Sequence, residues 1–154
     1  MEKKFELTDK FVINAFGIKL FQIKCTKAFK YANEGDLGGY VKKEDNLSQY
    51  GDAWVSGDAQ VYGNARVYGN ARVYGDARVE NNHMHCGFDC FGSCNRHTHA
   101  YKTKGNKVEI TCGCFRGSLE EFEKKVEETH KGTIYEKQYK AIINLIKIKF
   151  GIDG

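Results

Sequence analysis

Alanine and valine recur at a fixed step of six along residues 51–80, GDAWVSGDAQVYGNARVYGNARVYGDARVE. Val55, Val61, Val67, Val73 and Val79 each follow an alanine by two positions: Ala53, Ala59, Ala65, Ala71 and Ala77. Residues i and i+2 lie on one face of a strand. Each hexad therefore predicts one very short strand that turns a small and a branched apolar side chain the same way. Most hexads then carry Gly-Asp or Gly-Asn, a turn signal. A short strand and a turn every six residues predict a parallel β-helix, with three hexads, about 18 residues, to a coil. Residues 51–80 fill fewer than two coils. The degenerate hexads GYVKKE and DNLSQY upstream extend the stack to just over two. Tyr62, Tyr68, Tyr74, Arg66, Arg72 and Arg78 are expected to point outward, as a solvated wall or a contact surface.

The open end of such a rod exposes apolar surface and unpaired strand edges. Residues 4–30 are suited to cover it. KFVINAFGIKLFQIKCTKAF alternates apolar and polar residues around a glycine, the pattern of a hairpin. Phe16, Ile18 and Leu20 are expected on one side, and Phe21, Ile23 and Cys25 on the other, with Cys25 a core residue. Residues 1–80 thus read as an N-terminal hairpin cap plus a hexapeptide-repeat β-helix.

Beyond Glu80 the pattern changes. Residues 98–104 and 107–112 flank Gly-Asn and predict a hairpin. Ser118, with Glu121 three residues on, forms a capping box. Leu119, Phe122 and Val126 follow at helical spacing. Thr133 and Glu136 repeat the device, and Tyr135, Tyr139, Ile142, Ile146 and Phe150 share one helical face. Residues 81–154 are expected to form a small α+β module with two C-terminal helices. The fold class is mainly β with α: a short left-handed parallel β-helix, a hairpin cap and a module stabilised by metal.

Composition narrows the function. The 154 residues are 41% hydrophobic and 29% charged, with a net charge of +4. That charge is too weak, and too evenly spread, for a nucleic-acid arm. No apolar run reaches membrane-spanning length, and the start lacks the apolar core of a signal peptide. A soluble protein of the cytosol is expected, with reduced cysteines. Proline is absent, so glycine, Asn and Asp must supply the turns.

One segment is rich in metal-ligand chemistry. His83, His85, Cys86, Cys90, Cys94, His97, His99, Cys112 and Cys114 fall within residues 83–114. Thiolate and neutral imidazole are the donors zinc prefers, four in a closed tetrahedral site. A small cytosolic module without disulfides gains from such a metal. The predicted ligand set is Cys86, Cys90, Cys94, His97, Cys112 and Cys114, four of which would hold a structural zinc. Cys90, Cys94, one of His97 and His99, and Cys112 are expected to converge if a turn spans 90–95. His130 is expected far from that cluster, with an approach to His83 and His85 as a weaker second site. No catalytic zinc motif is present, so no enzyme is expected.

The hexads resemble those of left-handed β-helical acyltransferases, which keep a histidine on or beside long coils. These repeats contain no histidine, and the stack is short. More of the chain resembles a family of small phage and prophage accessory proteins. The resemblance is carried by GDLGGYV and NLSQYGDAWVSGDAQVYGNARVYG at one end, and by AYKTKGNKVEITCGCFRGSLEEFEKKVEETH and LIKIKF at the other. The segment HMHCGFDCFGSCNRHTH departs from that family, so the zinc expectation rests on these residues alone. Cys114 matches the family's GCF. The resemblance implies a type II anti-CRISPR protein acting in the cytoplasm of the infected bacterial host. It would inhibit a host defence nuclease by binding it and blocking target DNA loading. The partner would be a host protein, with no direct nucleic acid and no membrane, and a homodimer is possible. An acyltransferase-like or zinc-dependent enzyme and a sponge for a nucleotide signal are the alternatives.

Overall fold

The computed structural model describes residues 2–105 and 107–152. The chain divides into two compact units, residues 1–82 and 83–154. It is mainly β, with two helices.

The first unit begins with β1 (Phe5–Ile13) and β2 (Lys19–Cys25), an antiparallel hairpin turning through residues 14–18. β2 pairs antiparallel with β3 (Leu37–Val41). A 3-10 turn (Glu44–Asn46) follows. Four two-residue strands then step along the repeat: β4 (Trp54–Val55), β5 (Gln60–Val61), β6 (Arg72–Val73) and β7 (Arg78–Val79). All of these pair in parallel, β3 with β5, β5 with β7 and β4 with β6. A parallel bridge joins Leu47 to Val67 on a third side. The partners Val55 with Val73 and Val61 with Val79 lie 18 residues apart, one three-hexad coil. Val41 with Val61 and Leu47 with Val67 lie 20 apart. The two extra residues fall between Leu47 and Val55, where the step is eight instead of six.

That insertion has a purpose. It carries Gln49, whose side-chain oxygen accepts from the Lys4 and Phe5 N–H groups at 2.8 and 3.1 Å. Its amide donates back to the Phe5 carbonyl at 3.1 Å. The start of β1 is thereby tied to the coil. The hairpin is not a separate lid: it extends one side of the coil sideways, giving a mixed sheet of order β1-β2-β3-β5-β7. The edge that β3 would otherwise expose is covered by backbone pairing. Phe16 belongs to no core; it is 78% exposed at the hairpin turn.

Inside the coil the small-and-branched pattern holds. Val55, Val61, Val67, Val73 and Val79 are fully buried, as are Ala53, Ala59, Ala71 and Ala77. From Ser56 to Ala77 the corners are four-residue turns, such as Tyr62–Ala65, closed by the Ala65 N–H on the Tyr62 carbonyl at 3.2 Å. Gly63 adopts a φ of +60° there, and a Cβ would sit 2.3 Å from the Glu80 carbonyl oxygen. Both facts demand glycine. Asn46 is buried and stitches two coils: its amide donates to Ala65 O at 2.8 Å, and its oxygen accepts from Lys43 N at 3.0 Å. Trp54, outward on its strand, is covered by Phe5 and Phe29. Lys4 donates to the Ala53 carbonyl at 2.6 Å over the Phe29 ring, and burial pulls its amine down to about 8.

The second unit is a four-stranded antiparallel sheet: β8 (His85–Phe91), β9 (Arg96–Lys102), β10 (Val108–Cys112) and β11 (Phe115–Ser118). Helices α1 (Leu119–His130) and α2 (Ile134–Phe150) follow. Ser118 caps α1 and Glu121 closes the box; Thr133 caps α2. Both caps satisfy N–H groups that a helix start leaves orphaned. The core joins the helices to the sheet through Ala100, Ile110, Leu119, Phe122, Ile142 and Ile146, all buried.

Candidate functional site

The alternation of β9 sends Arg96, Thr98 and Ala100 to one face of the sheet and His97, His99 and Tyr101 to the other. Ala100 lies in the core with the helices, so the histidines occupy the opposite face. Register places Gly87 opposite His99, and His85 opposite Tyr101. The turn into β9 contains a bulge between Phe88 and Phe91, with Cys90 at φ +69°. These elements align four side chains in one line. Asp89 Oδ1 meets His97 Nδ1 at 2.6 Å, His97 Nε2 meets His99 Nδ1 at 2.9 Å, and His99 Nε2 meets His85 Nδ1 at 2.9 Å.

One set of tautomers satisfies the whole line. An ionised Asp89 accepts from His97 Nδ1–H. His97 Nε2 then accepts from His99 Nδ1–H, and His99 Nε2 accepts from His85 Nδ1–H. In that arrangement every N–H points along the line towards Asp89, from His85 through His99 to His97. Burial holds His85 down to about 4, and the Lys149 charge adds to the effect. Burial also holds His99 well below its ordinary value, with His85 and His97 adding to it. Both are therefore neutral near pH 7.

Gly87 makes the room. A Cβ at this position would lie 2.5 Å from His97 Cε1 and 2.7 Å from both His97 Nε2 and His99 Nδ1. Its backbone is ordinary strand, so only the rings oppose a side chain. Gly87→Ala is expected to part His97 from His99 at a cost of about 1–3 kcal/mol. Imidazole nitrogen NMR checks it: the variant should lose the single-tautomer pattern. Unchanged nitrogen shifts would refute the ring line.

The predicted metal ligands are distributed differently. His99 pairs with Thr111, and Cys112 with Thr98. Cys112 therefore shares the helix side with Thr98, while His97 and His99 face the other way. Period-two alternation separates the thiol from the imidazoles with which it was expected to converge. Cys112 accepts from the Thr98 hydroxyl at 3.2 Å and lies 3.7 Å from the Tyr139 hydroxyl. Cys86 packs against the helix core, where burial pushes its thiol up. Cys90, Cys94 and Cys114 are exposed, and Arg96 donates to Cys94 at 3.7 Å. Among the described residues no three His, Cys, Asp or Glu side chains gather as a metal centre. This arrangement does not fit a closed zinc tetrahedron. His130, expected far from the thiols, lines one cavity with Cys112 and Cys114. It stacks on Tyr139, 5.5 Å between ring centres, at the Cys112 end of the core.

Spacing within one strand could place His97 and His99 together. It carried no signal for Asp89, which sits one strand away beside a bulge.

The coil presents a different surface. Of the residues expected to point into solvent, Tyr62 is 4% exposed and Arg72 9%. The Arg72 guanidinium lies 4.5 Å over the Tyr31 ring and donates to the Tyr74 hydroxyl at 2.7 Å. The open positions are Tyr68, at 64%, and Tyr50, at 66%, 18 residues before it. The glycines that follow them, Gly51 and Gly69, stack directly. The two tyrosines thus occupy one corner of successive coils, and Arg66 is exposed on the same strand segment as Tyr68.

Residues 59–73 and 71–83 match the family model described as the YdcK beta solenoid repeat. The chain therefore carries β-solenoid repeats. No curated protein matches it. Among the described residues, no helix is long and apolar enough to cross a membrane.

Proposed function

We propose that this protein is a non-catalytic binding protein whose coil, of the left-handed hexapeptide form, presents a rigid surface to a host protein. The observation that carries the reading is the Tyr50–Tyr68 pair, two exposed aromatic rings held in register by a stiff scaffold. Tyrosine offers large contact area at small entropic cost, and aromatic and arginine side chains dominate interface energetics. The resemblance to phage accessory proteins points to a type II CRISPR nuclease as the partner. Such a nuclease holds its RNA–DNA duplex in a positively charged channel. A net charge of +4 does not suit a DNA mimic, so inhibition would come from occupying a surface needed to load target DNA. The reading does not depend on zinc.

The test is plasmid cleavage by reconstituted type II nucleases, with this protein added before or after the target DNA. Inhibition only on prior addition supports blocked loading. Tyr50→Ala with Tyr68→Ala is expected to weaken inhibition at least about tenfold, while Trp54 fluorescence reports an intact first unit. Absence of inhibition by the unaltered protein at several-fold excess over several nucleases would remove the reading.

A further inference from the structure

The second unit holds a half-open cavity of about 400 Å³ between the end of its sheet and the two helices. That volume suits a small molecule. Three cations line it: Arg96 from the start of β9, Arg116 from β11 and Lys125 from α1. Among the described residues, no carboxylate lines it. Arg116 is engaged by Glu109 at 3.0 Å. Among the described residues, neither Arg96 nor Lys125 forms an ion pair with a carboxylate. Three positive charges brought around one mouth repel one another, and an anion of charge near −2 would relieve that repulsion.

The interior is of another kind. Phe115, Phe122 and Tyr139 form its aromatic wall. Phe115 and Phe122 lie 5.3 Å apart, and Phe122 meets Tyr139 edge to face at 5.6 Å. The His130 ring, stacked on Tyr139, continues that wall. Gly113, at φ +59°, leaves room for the Arg96 side chain: a Cβ there would lie 2.4 Å from an Arg96 guanidinium nitrogen. The arginine therefore lies across bare backbone.

We infer that this cavity binds a phosphate-bearing aromatic small molecule of mononucleotide size. The phosphate sits among Arg96, Arg116 and Lys125, and the ring lies against Phe115 and His130. A guanidinium offers paired N–H donors to phosphate oxygens, and a lysine adds a point charge. The aromatic wall supplies stacking that tolerates any planar base. This site shares no residue with the tyrosine corner of the coil, so it stands or falls independently of the proposed partner.

The experiment is calorimetric titration of the full chain with adenosine monophosphate, adenosine and inorganic phosphate. Saturable 1:1 binding of the monophosphate is expected, with adenosine and phosphate each at least about tenfold weaker. Arg96→Ala and Lys125→Ala, both at the mouth, should each weaken the monophosphate about tenfold and leave thermal unfolding unchanged. Phe115→Leu should weaken the monophosphate and leave phosphate binding as it was. No saturable binding up to millimolar monophosphate would overturn the inference. So would binding unaffected by both charge variants, or adenosine binding as tightly as its monophosphate.

Discussion

Acidification from pH 6.5 to about 4 is expected to remove about 3 kcal/mol or more of the second unit's stability. The cause is the buried end of the imidazole line. His85 is held at about 4 in the folded chain, below its ordinary 6.5. As pH falls through 6.5 the unfolded chain takes up a proton that the folded chain refuses until about pH 4. The stability this neutral imidazole contributes is thus fully present above 6.5. It is lost progressively as pH falls towards 4. A tenfold difference in proton affinity between the folded and unfolded chain is worth about 1.4 kcal/mol, so His85 alone gives about 3 kcal/mol. His99 moves in the same direction and steepens the loss. Amide exchange at Ile110 and Thr111, followed against pH, reads this unit by itself. His85→Gln keeps a donor for His99 and removes one titration, so it should flatten the profile. A profile flat between pH 6.5 and 4.5 in the unaltered protein would contradict the buried, neutral state of both rings.

The second large effect is expected at Val61. Its side chain is fully buried and stands in the ladder between Val41 and Val79. Val61→Ala removes two methyl groups and should cost about 2–3 kcal/mol. Val61→Asp places a carboxylate where the neighbouring inward side chains are Val and Ala. An unpaired buried charge costs more than about 4 kcal/mol, a large share of the stability of a small unit. The coil is expected to open in this variant. The single tryptophan, Trp54, is buried against Phe5 and Phe29 in the same unit, so its emission should move to the red. A folded Val61→Asp variant with unshifted emission would show that the Val ladder is not the core.

Much of this was legible along the chain, and the reason is distance. A hexad lies within six residues, a capping box within four, and an amphipathic stripe within one helix. Val55 to Val79 fell inward, Ser118 and Thr133 capped, and Phe122 and Ile146 packed as the periods predict, because each depends on near neighbours and one backbone geometry. The same logic placed His97 and His99 on one face.

The remainder depended on register, which no single strand contains. Period two says that Cys112 and Thr111 face opposite ways. Only the pairing of Thr111 with His99 says that the thiol turns from the imidazoles. Asp89 joins the line because the register that sets Gly87 opposite His99 and Phe88 opposite Thr98 leads it towards His97, ahead of Phe91, where the pairing has shifted. Tyr62 and Arg72 follow the same repeat as Tyr68 and Arg66, yet the first pair is buried and the second open. His130 reached Tyr139 because α2 folds back along α1, a contact nine residues away in sequence that the length of one helix does not reveal. By itself the sequence determined the period, the inward face and the helix starts, all set by local geometry. The tertiary structure alone decided which donors meet and which rings stay bare, because those depend on bulges, an inserted pair of residues and the register between strands.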